Sequence, residues 1–453
     1  MKIQTINPAT EEPINEYELM TKEEVFSIAK KSRDAFLEWK TTDISERAVF
    51  LRNSADILRQ KKNEFAELIT QEMGKPIKQS ISEIEKCALT CEVYADNSEK
   101  WLHPEQIHAD GKKHFVRYEP LGVIVSIMPW NFPFWQAFRF AAPVLMAGNT
   151  SILKHASNVT GCSLAIESVF QEAGLEDVFH SVIAKHDSVN ELIASDLTAG
   201  VSLTGSVSAG QKVASIAGAN LKKVVMELGG SDPFIVLEDA DIDKAAKIGV
   251  QSRLINNGQS CIAAKRFIVV EKIADSFTEK FVEHTKKIIV GEPMDMNTDV
   301  GPLANTQQRQ EVESQLNDSI KSGAMLLYGG KKLERKGYFF EPAVLSDINE
   351  NMRIFREEVF GPVAPIIVVK NEDEAIQTAN NSEFGLGSAI WTSDEERALN
   401  IAKKIDSGAV FINGIVKSDA RVPFGGIKKS GIGRELGSFG LKEFTNVKAV
   451  NVY

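Results

Sequence analysis

Residues 122–128, Gly-Val-Ile-Val-Ser-Ile-Met, form a short apolar run that stops at Pro129. Seven residues of this kind, bounded by turn formers, read as a strand buried on both faces. Similar runs follow at 150–154, 180–184, 200–203 and 223–228, with helical patterns at 158–173 and 206–217 between them. Strands alternating with helices predict an α/β fold, a parallel doubly wound sheet with helices on both faces. After Gly229-Gly230 a second series begins, with strand candidates at 233–237, 267–271, 364–369, 388–391 and 409–412. Upstream, Thr21 and Glu24 form a capping box that opens a first helix. A second helix is expected from about Ser45 to Gly74, where Pro76 just beyond enforces a stop, and a third from about Ser82 to Trp101.

Two polar, strand-like stretches, 106–117 and 446–453, belong to neither series. Unpaired strands are edges open to other chains, so pairing between subunits is expected, in a homodimer or homotetramer. The expected organisation is one α/β domain from 1–105 and 124–229, a second from 230–431, and an arm from 106–123 and 432–453.

The chain has 453 residues, 43% hydrophobic and 25% charged, with a formal net charge of −10. That balance speaks against nucleic acid and anionic membranes as partners. The longest apolar stretch, 122–135, is interrupted by Pro129, Asn131 and Pro133 and cannot span a bilayer. The opening MKIQTINPAT has neither a secretory nor a transit character, so a cytoplasmic protein is expected. Four cysteines are too few for a disulfide framework. Cys87 and Cys91 share a helical face and Cys162 lies on another, the pattern of small buried hydrophobes. No metal site is expected.

Three positions carry chemistry. Cys261 ends the polar loop Asn256-Asn257-Gly258-Gln259-Ser260, and a loop can give a thiol the exposure and lowered pKa that a thiolate needs. Glu227 stands near the end of the apolar strand 223–228, where burial should raise its pKa toward the range of a working base. Asn131 sits in Pro129-Trp130-Asn131-Phe132-Pro133, on a strand-to-helix turn, where its amide can face a developing oxyanion.

These stretches, together with Glu227-Leu228-Gly229-Gly230, Gly258-Gln259-Ser260-Cys261, Glu358-Val359-Phe360-Gly361-Pro362 and Pro423-Phe424-Gly425-Gly426, resemble the aldehyde dehydrogenase superfamily over nearly the whole chain. A particular likeness to its short bacterial succinate-semialdehyde dehydrogenases lies in Lys154-His155-Ala156 and in the run from Phe424 to Gly431. The resemblance implies a cofactor domain, a catalytic domain and an oligomerisation arm. It also implies NAD(P)-dependent oxidation of a short aldehyde, most simply succinate semialdehyde, with another aliphatic or phosphorylated aldehyde as the alternative. Cys261 would be the nucleophile, Asn131 the oxyanion donor and Glu227 the base that activates water. Pro129, Trp130, Gly205, Ser206, Glu358 and Phe360 would surround the nicotinamide and pyrophosphate, and Lys154 the adenosine ribose.

There is no G-x-G-x-x-G; Thr204-Gly205-Ser206 instead joins a strand to a helix whose N-terminus suits a pyrophosphate. NAD-preferring members commonly carry an acid where this chain has Ser157. Lys154 with an uncharged Ser157 favours NADP over NAD. For the substrate, Arg139 lies eight residues beyond Asn131 and would bind a distal carboxylate, with Trp135 and Ser418 on the walls. Ile255 stands where some relatives have a second Arg, and no further cysteine follows Cys261 closely enough for a disulfide switch.

Overall fold

The computed structural model describes residues 2–453. A six-stranded sheet runs in the order Gly431–Ile432, Lys223–Glu227, Thr198–Thr204, Val123–Met128, Thr150–His155, Phe179–Ser181. The five strands expected from the sequence are parallel; the short Gly431–Ile432 piece is antiparallel and pairs Gly431 with Glu227. A seven-stranded sheet follows in the order Met325–Tyr328, Ala343–Ser346, Val363–Val369, Ala264–Val270, Asp232–Val236, Gly387–Trp391, Ala409–Ile412. It is parallel except at its Met325–Tyr328 edge. The strands Val123–Met128 and Asp232–Val236 are almost wholly buried, which explains their unbroken apolar sequence.

The capping box closes on Thr21 and Glu24 at the head of the helix Lys22–Trp39. The helix anticipated from Ser45 to Gly74 is two, Ile44–Gln60 and Lys62–Met73, because the backbone leaves the helical region at Lys61. That break lets both pieces pack along the long helix Ile77–Trp101. The long helix starts directly after Pro76 rather than near Ser82. Gly74 ends its helix in the left-handed region at φ 80°.

The two polar stretches pair with each other inside the chain. Thr445–Val452 runs antiparallel to Lys113–Pro120, with Glu105–Ile107 on the far side. The edge of Thr445–Val452 away from Lys113–Pro120 has no partner strand among the described residues, and Val447 and Val452 are exposed on this strand. Residues 431–444 do not divide between the second domain and the arm as the sequence suggests. Gly431–Ile432 extends the first sheet, and Leu436, Leu441 and Phe444 pack into the first domain's core with Phe140 and Val144. Among the described residues, no helix is long and apolar enough to cross a membrane.

Candidate active site

In the first sheet the strand order reverses between Val123–Met128 and Thr198–Thr204. Their carboxyl ends open into a crevice, the place where doubly wound sheets bind ligands. The loop from Pro129 to Phe132 leaves one strand there, and Gly205 and Ser206 leave the other. The strand ending at Glu227 passes through Gly229 and Gly230 into the first strand of the second sheet. A Cβ on Gly230 would collide with the carbonyl of Cys261, so the linker and the loop of Cys261 touch backbone to backbone.

Asn256, Asn257 and Gly258 all have positive φ, at 53°, 60° and 78°. The first two are tolerated because asparagine adopts this region readily and both side-chain amides are held by backbone carbonyls. The Asn256 amide donates to the carbonyls of Asn131 (2.6 Å) and Gln259 (3.0 Å), and the Asn257 amide donates to those of Gly74 and Pro302. Gly258 lies against the backbone of Gly361 with no room for a side chain. Buried Arg253 donates to the carbonyls of Gly258, Val359 and Ala264. Lys265 donates to those of Ser260 (2.8 Å) and Cys261 (2.7 Å). The strain is thus held by contacts from every side, which fixes Cys261.

Cys261 is half-buried, and the loop does not lower its pKa. Burial pushes the thiol up to about 12, against a smaller opposing pull from Lys265 and Arg139. A thiol raised in this way needs a base before it can attack as a nucleophile. Asn131 donates its amide to the Gln259 carbonyl (3.1 Å), which sets the side chain beside the same loop.

Glu227 is buried, and neither carboxylate oxygen has a hydrogen-bond partner among the described residues. Burial, then the neighbouring Glu435, raises it to about 8; Arg139 and Arg434 pull the other way. Gly425, at φ 147°, makes room for the carboxylate, since a Cβ there would strike its oxygen. Glu435 is itself buried and ion-paired to Arg139. Arg139 also donates to the hydroxyl of Thr204 at 3.1 Å and lies over the Phe424 ring. Its guanidinium is therefore already engaged, which its place in the sequence did not reveal.

Two cavities meet at Cys261. One, of about 250 Å³, is lined by Pro129, Trp130, Asn131, Gly205, Ser206 and Glu358, with Phe360 edge-to-face on Trp130. Ser206 caps the helix Val207–Ala219. A helix N-terminus, a carboxylate and an aromatic pair fit the pyrophosphate, ribose and ring of a dinucleotide. Glu358 accepts from the Gly230 N–H (3.1 Å) and faces Lys265 at 3.5 Å. A smaller cavity of about 170 Å³ contains Lys154, Ser157, Lys185 and His186 and suits the adenosine end. Ser157 is exposed, and its side chain makes no cap to the following helix. His155 instead pins the Pro133 carbonyl at 2.9 Å and is held neutral, pushed down to about 4 by burial.

The other cavity at Cys261, about 360 Å³, is lined by Phe132, Trp135, Arg139, Ile255, Ile262, Val416, Ser418 and Phe424, and also by Glu83 and Lys86. Sequence reasoning passed over four charged residues of the site: Glu83 and Lys86 on this wall, Lys265 under the Cys261 loop and Glu435 beside Glu227. Glu83 accepts from the N–H groups of Phe134 and Trp135 at the head of the helix Pro133–Met146, and is ion-paired to fully buried Lys75. The signal available was spacing: Glu83, Lys86 and Cys87 recur at helical intervals on a face that is otherwise core. Lys265 stood out only as a cation opening an apolar strand. Glu435 had no local signal at all.

The sequence model of the aldehyde dehydrogenase family matches residues 1–450. A probable NADP-dependent succinate-semialdehyde dehydrogenase of Synechocystis sp. is 47% identical over 451 residues, 99% of each chain. The NAD(P)-dependent succinate semialdehyde dehydrogenase Sad of Escherichia coli K12 is 44% identical over 447 residues, 98% of this chain and 97% of its own. The crystal structure of succinic semialdehyde dehydrogenase from Streptococcus pyogenes in complex with NADP+ aligns at TM-score 0.97 and 37% identity, covering 99% of both chains. A structure of Gox0499 aligns at TM-score 0.99 and 41% identity over the whole of both.

Proposed function

We propose, because this chain belongs to the aldehyde dehydrogenase family, that it oxidises succinate semialdehyde to succinate with NADP, and with NAD as a secondary acceptor. The observation that carries the reading is the position of Cys261, the wall shared by a cavity fit for a dinucleotide and one fit for a short aldehyde. Placing a reacting thiol between two bound partners supplies the orientation on which the chemistry depends.

The Cys261 sulfur attacks the aldehyde carbon while Glu227 takes the thiol proton, directly or through water. The oxygen of the resulting thiohemiacetal is stabilised by the Asn131 amide and the Cys261 backbone N–H. The nicotinamide, when bound, supplies the hydride acceptor. Glu227 then releases the thiol proton to solvent, accepts a proton from the water that attacks the thioester carbon, and the Cys261 sulfur leaves as a thiolate that is reprotonated. Pro129, Trp130, Gly205, Ser206, Glu358 and Phe360 hold the cofactor's reactive end, and Lys154 with Ser157 the far ribose and its 2′-phosphate. Trp135 and Ser418 wall the substrate, and Arg139 neutralises Glu435 while lending positive potential to the cavity.

In this reading the six-stranded unit binds the cofactor, the seven-stranded unit supplies the nucleophile, and the three-stranded sheet joins subunits into a homodimer or homotetramer in the cytoplasm. Four free cysteines and the exposed edge of Thr445–Val452 support that setting. The apolar lining favours an unsubstituted aliphatic aldehyde as the second reading. Assay of succinate semialdehyde, butanal and a phosphorylated aldehyde with each nucleotide separates them. The highest kcat/KM is expected for succinate semialdehyde with NADP, and an equal value for butanal would overturn the substrate.

A further inference from the structure

We infer that Lys86, paired with Ser418, is the residue that reads the distal carboxylate of the substrate. This deepens the succinate-semialdehyde reading and rests on it. Lys86 projects from the helix Ile77–Trp101 into the cavity that Cys261 also lines. Its ammonium donates to the Ser418 hydroxyl at 2.7 Å and stands 3.9 Å from the centre of the Trp135 ring. The acids that could neutralise it are committed elsewhere. Glu83 is tied to Lys75 and to two backbone N–H groups, Glu85 to Arg59, and Asp419 to Arg421. Of the other cations on the wall, Arg139 has Glu435, and Lys417 is exposed and acts on Asp419.

Among the described residues Lys86 forms no ion pair, and the carboxylates whose fields reach it, Glu83 and Asp419, are held by Lys75 and Arg421. Its surroundings register the deficit: burial, with Arg139 adding to it, pushes the ammonium down to about 8. Burying a cation in this way is unfavourable until an anion arrives. A carboxylate entering the cavity meets two donors. The ammonium has three protons, of which Ser418 takes one, and Ser418, having accepted from Lys86, still has its own proton to give. Two convergent donors, one charged, define a carboxylate site. Lys86 and Ser418 thus supply the grip that Ile255 cannot, and they do so from the helix of one domain and the loop before Phe424.

The test uses Lys86→Met, which keeps the stem over Trp135 and removes the charge, and Lys86→Arg, which restores it. In each enzyme kcat/KM is measured for succinate semialdehyde and for butanal, with succinate and butyrate as inhibitors. The wild-type preference for succinate semialdehyde should collapse in Lys86→Met by about 10- to 100-fold, mainly through KM, on the scale of one charge-assisted contact. Butanal should change little, succinate should lose its advantage over butyrate, and Lys86→Arg should recover most of the preference. If the wild type itself shows no preference, the succinate-semialdehyde reading falls and Lys86 with it. If the wild type prefers the semialdehyde and Lys86→Met keeps that ratio, or loses both aldehydes in parallel, Lys86 does not read the carboxylate.

Discussion

Arg139 and Glu435 form a buried ion pair whose two charges act in opposite directions on Glu227. Arg139→Ala leaves Glu435 uncompensated and removes the cation that holds Glu227 down. The pH at which Glu227 becomes a base should move upward, and kcat near neutrality should fall for succinate semialdehyde and butanal together. Truncating one partner of a buried pair also costs about 3–5 kcal/mol of stability. Rate–pH profiles with both aldehydes, with denaturant unfolding alongside, check both parts. A loss confined to succinate semialdehyde would instead give Arg139 a direct hold on the carboxylate.

Cys261 and Glu227 divide the work through their pKa values. With the thiol pushed up to about 12 and the carboxyl to about 8, activity should rise with pH through the ionisation of Glu227. Cys261→Ala should abolish oxidation while nucleotide binding, read by calorimetry, persists. Glu227→Gln should flatten the pH rise and slow both the hydride-transfer burst, because the thiol loses its base, and the turnover after it, because the thioester waits for unactivated water.

Stability gives an independent reading of the same carboxyl. Its native pKa, about 8, lies above the ordinary 4.5, so the native state holds a proton that the unfolded chain releases between those values. The contribution is fully present below about 4.5 and is lost as pH rises through about 8. Each unit of separation corresponds to about 1.4 kcal/mol. Glu227→Gln should therefore match the wild type in thermal unfolding at pH 5 and exceed it at pH 9. Equal stabilities at pH 9 would mean that Glu227 is solvated when ionised.

The two parallel sheets were legible because most of their strands are buried on both faces, so apolar runs alone mark them. Strand ends were read short where a polar residue is buried with partners. Arg266 lies inside the strand Ala264–Val270 and donates to the carbonyls of Ser231, Thr378 and Ala379, which periodicity cannot foresee. Gly431–Ile432 is too short to have a period, so its pairing beside Glu227 and the delivery of Glu435 were invisible. The chemistry was legible at Cys261, Glu227 and Asn131 because each stands in a motif. Lys86 was not, since its meaning depends on which distant acids are already taken.

Nucleotide choice turns on the exposed hydroxyl of Ser157 beside Lys154. Ser157→Glu puts a negative charge where a 2′-phosphate would sit and offers an acceptor to ribose hydroxyls. The KM for NADP should rise at least about tenfold, as expected for losing one charge-assisted contact, while that for NAD changes little or falls. Parallel changes in both values would show that Ser157 does not face the ribose.

Lys75 and Glu83 form a fully buried pair at the root of the helix that carries Trp135 and Arg139. The second oxygen of Glu83 accepts from the Phe134 and Trp135 N–H groups, so this carboxylate also caps the helix and sets its entry angle. Glu83→Gln keeps a hydrogen-bond acceptor for the helix but strands the Lys75 charge, and should destabilise the protein by about 3–5 kcal/mol. Lys75→Met alone should do similar damage from the other side. The double variant, which buries no lone charge, should recover much of the loss, because a buried ion pair and an apolar replacement of similar size are often close in energy. A double-mutant cycle by denaturant unfolding measures the coupling directly. Additive losses would mean that the helix cap, and not the pair, is what Glu83 contributes.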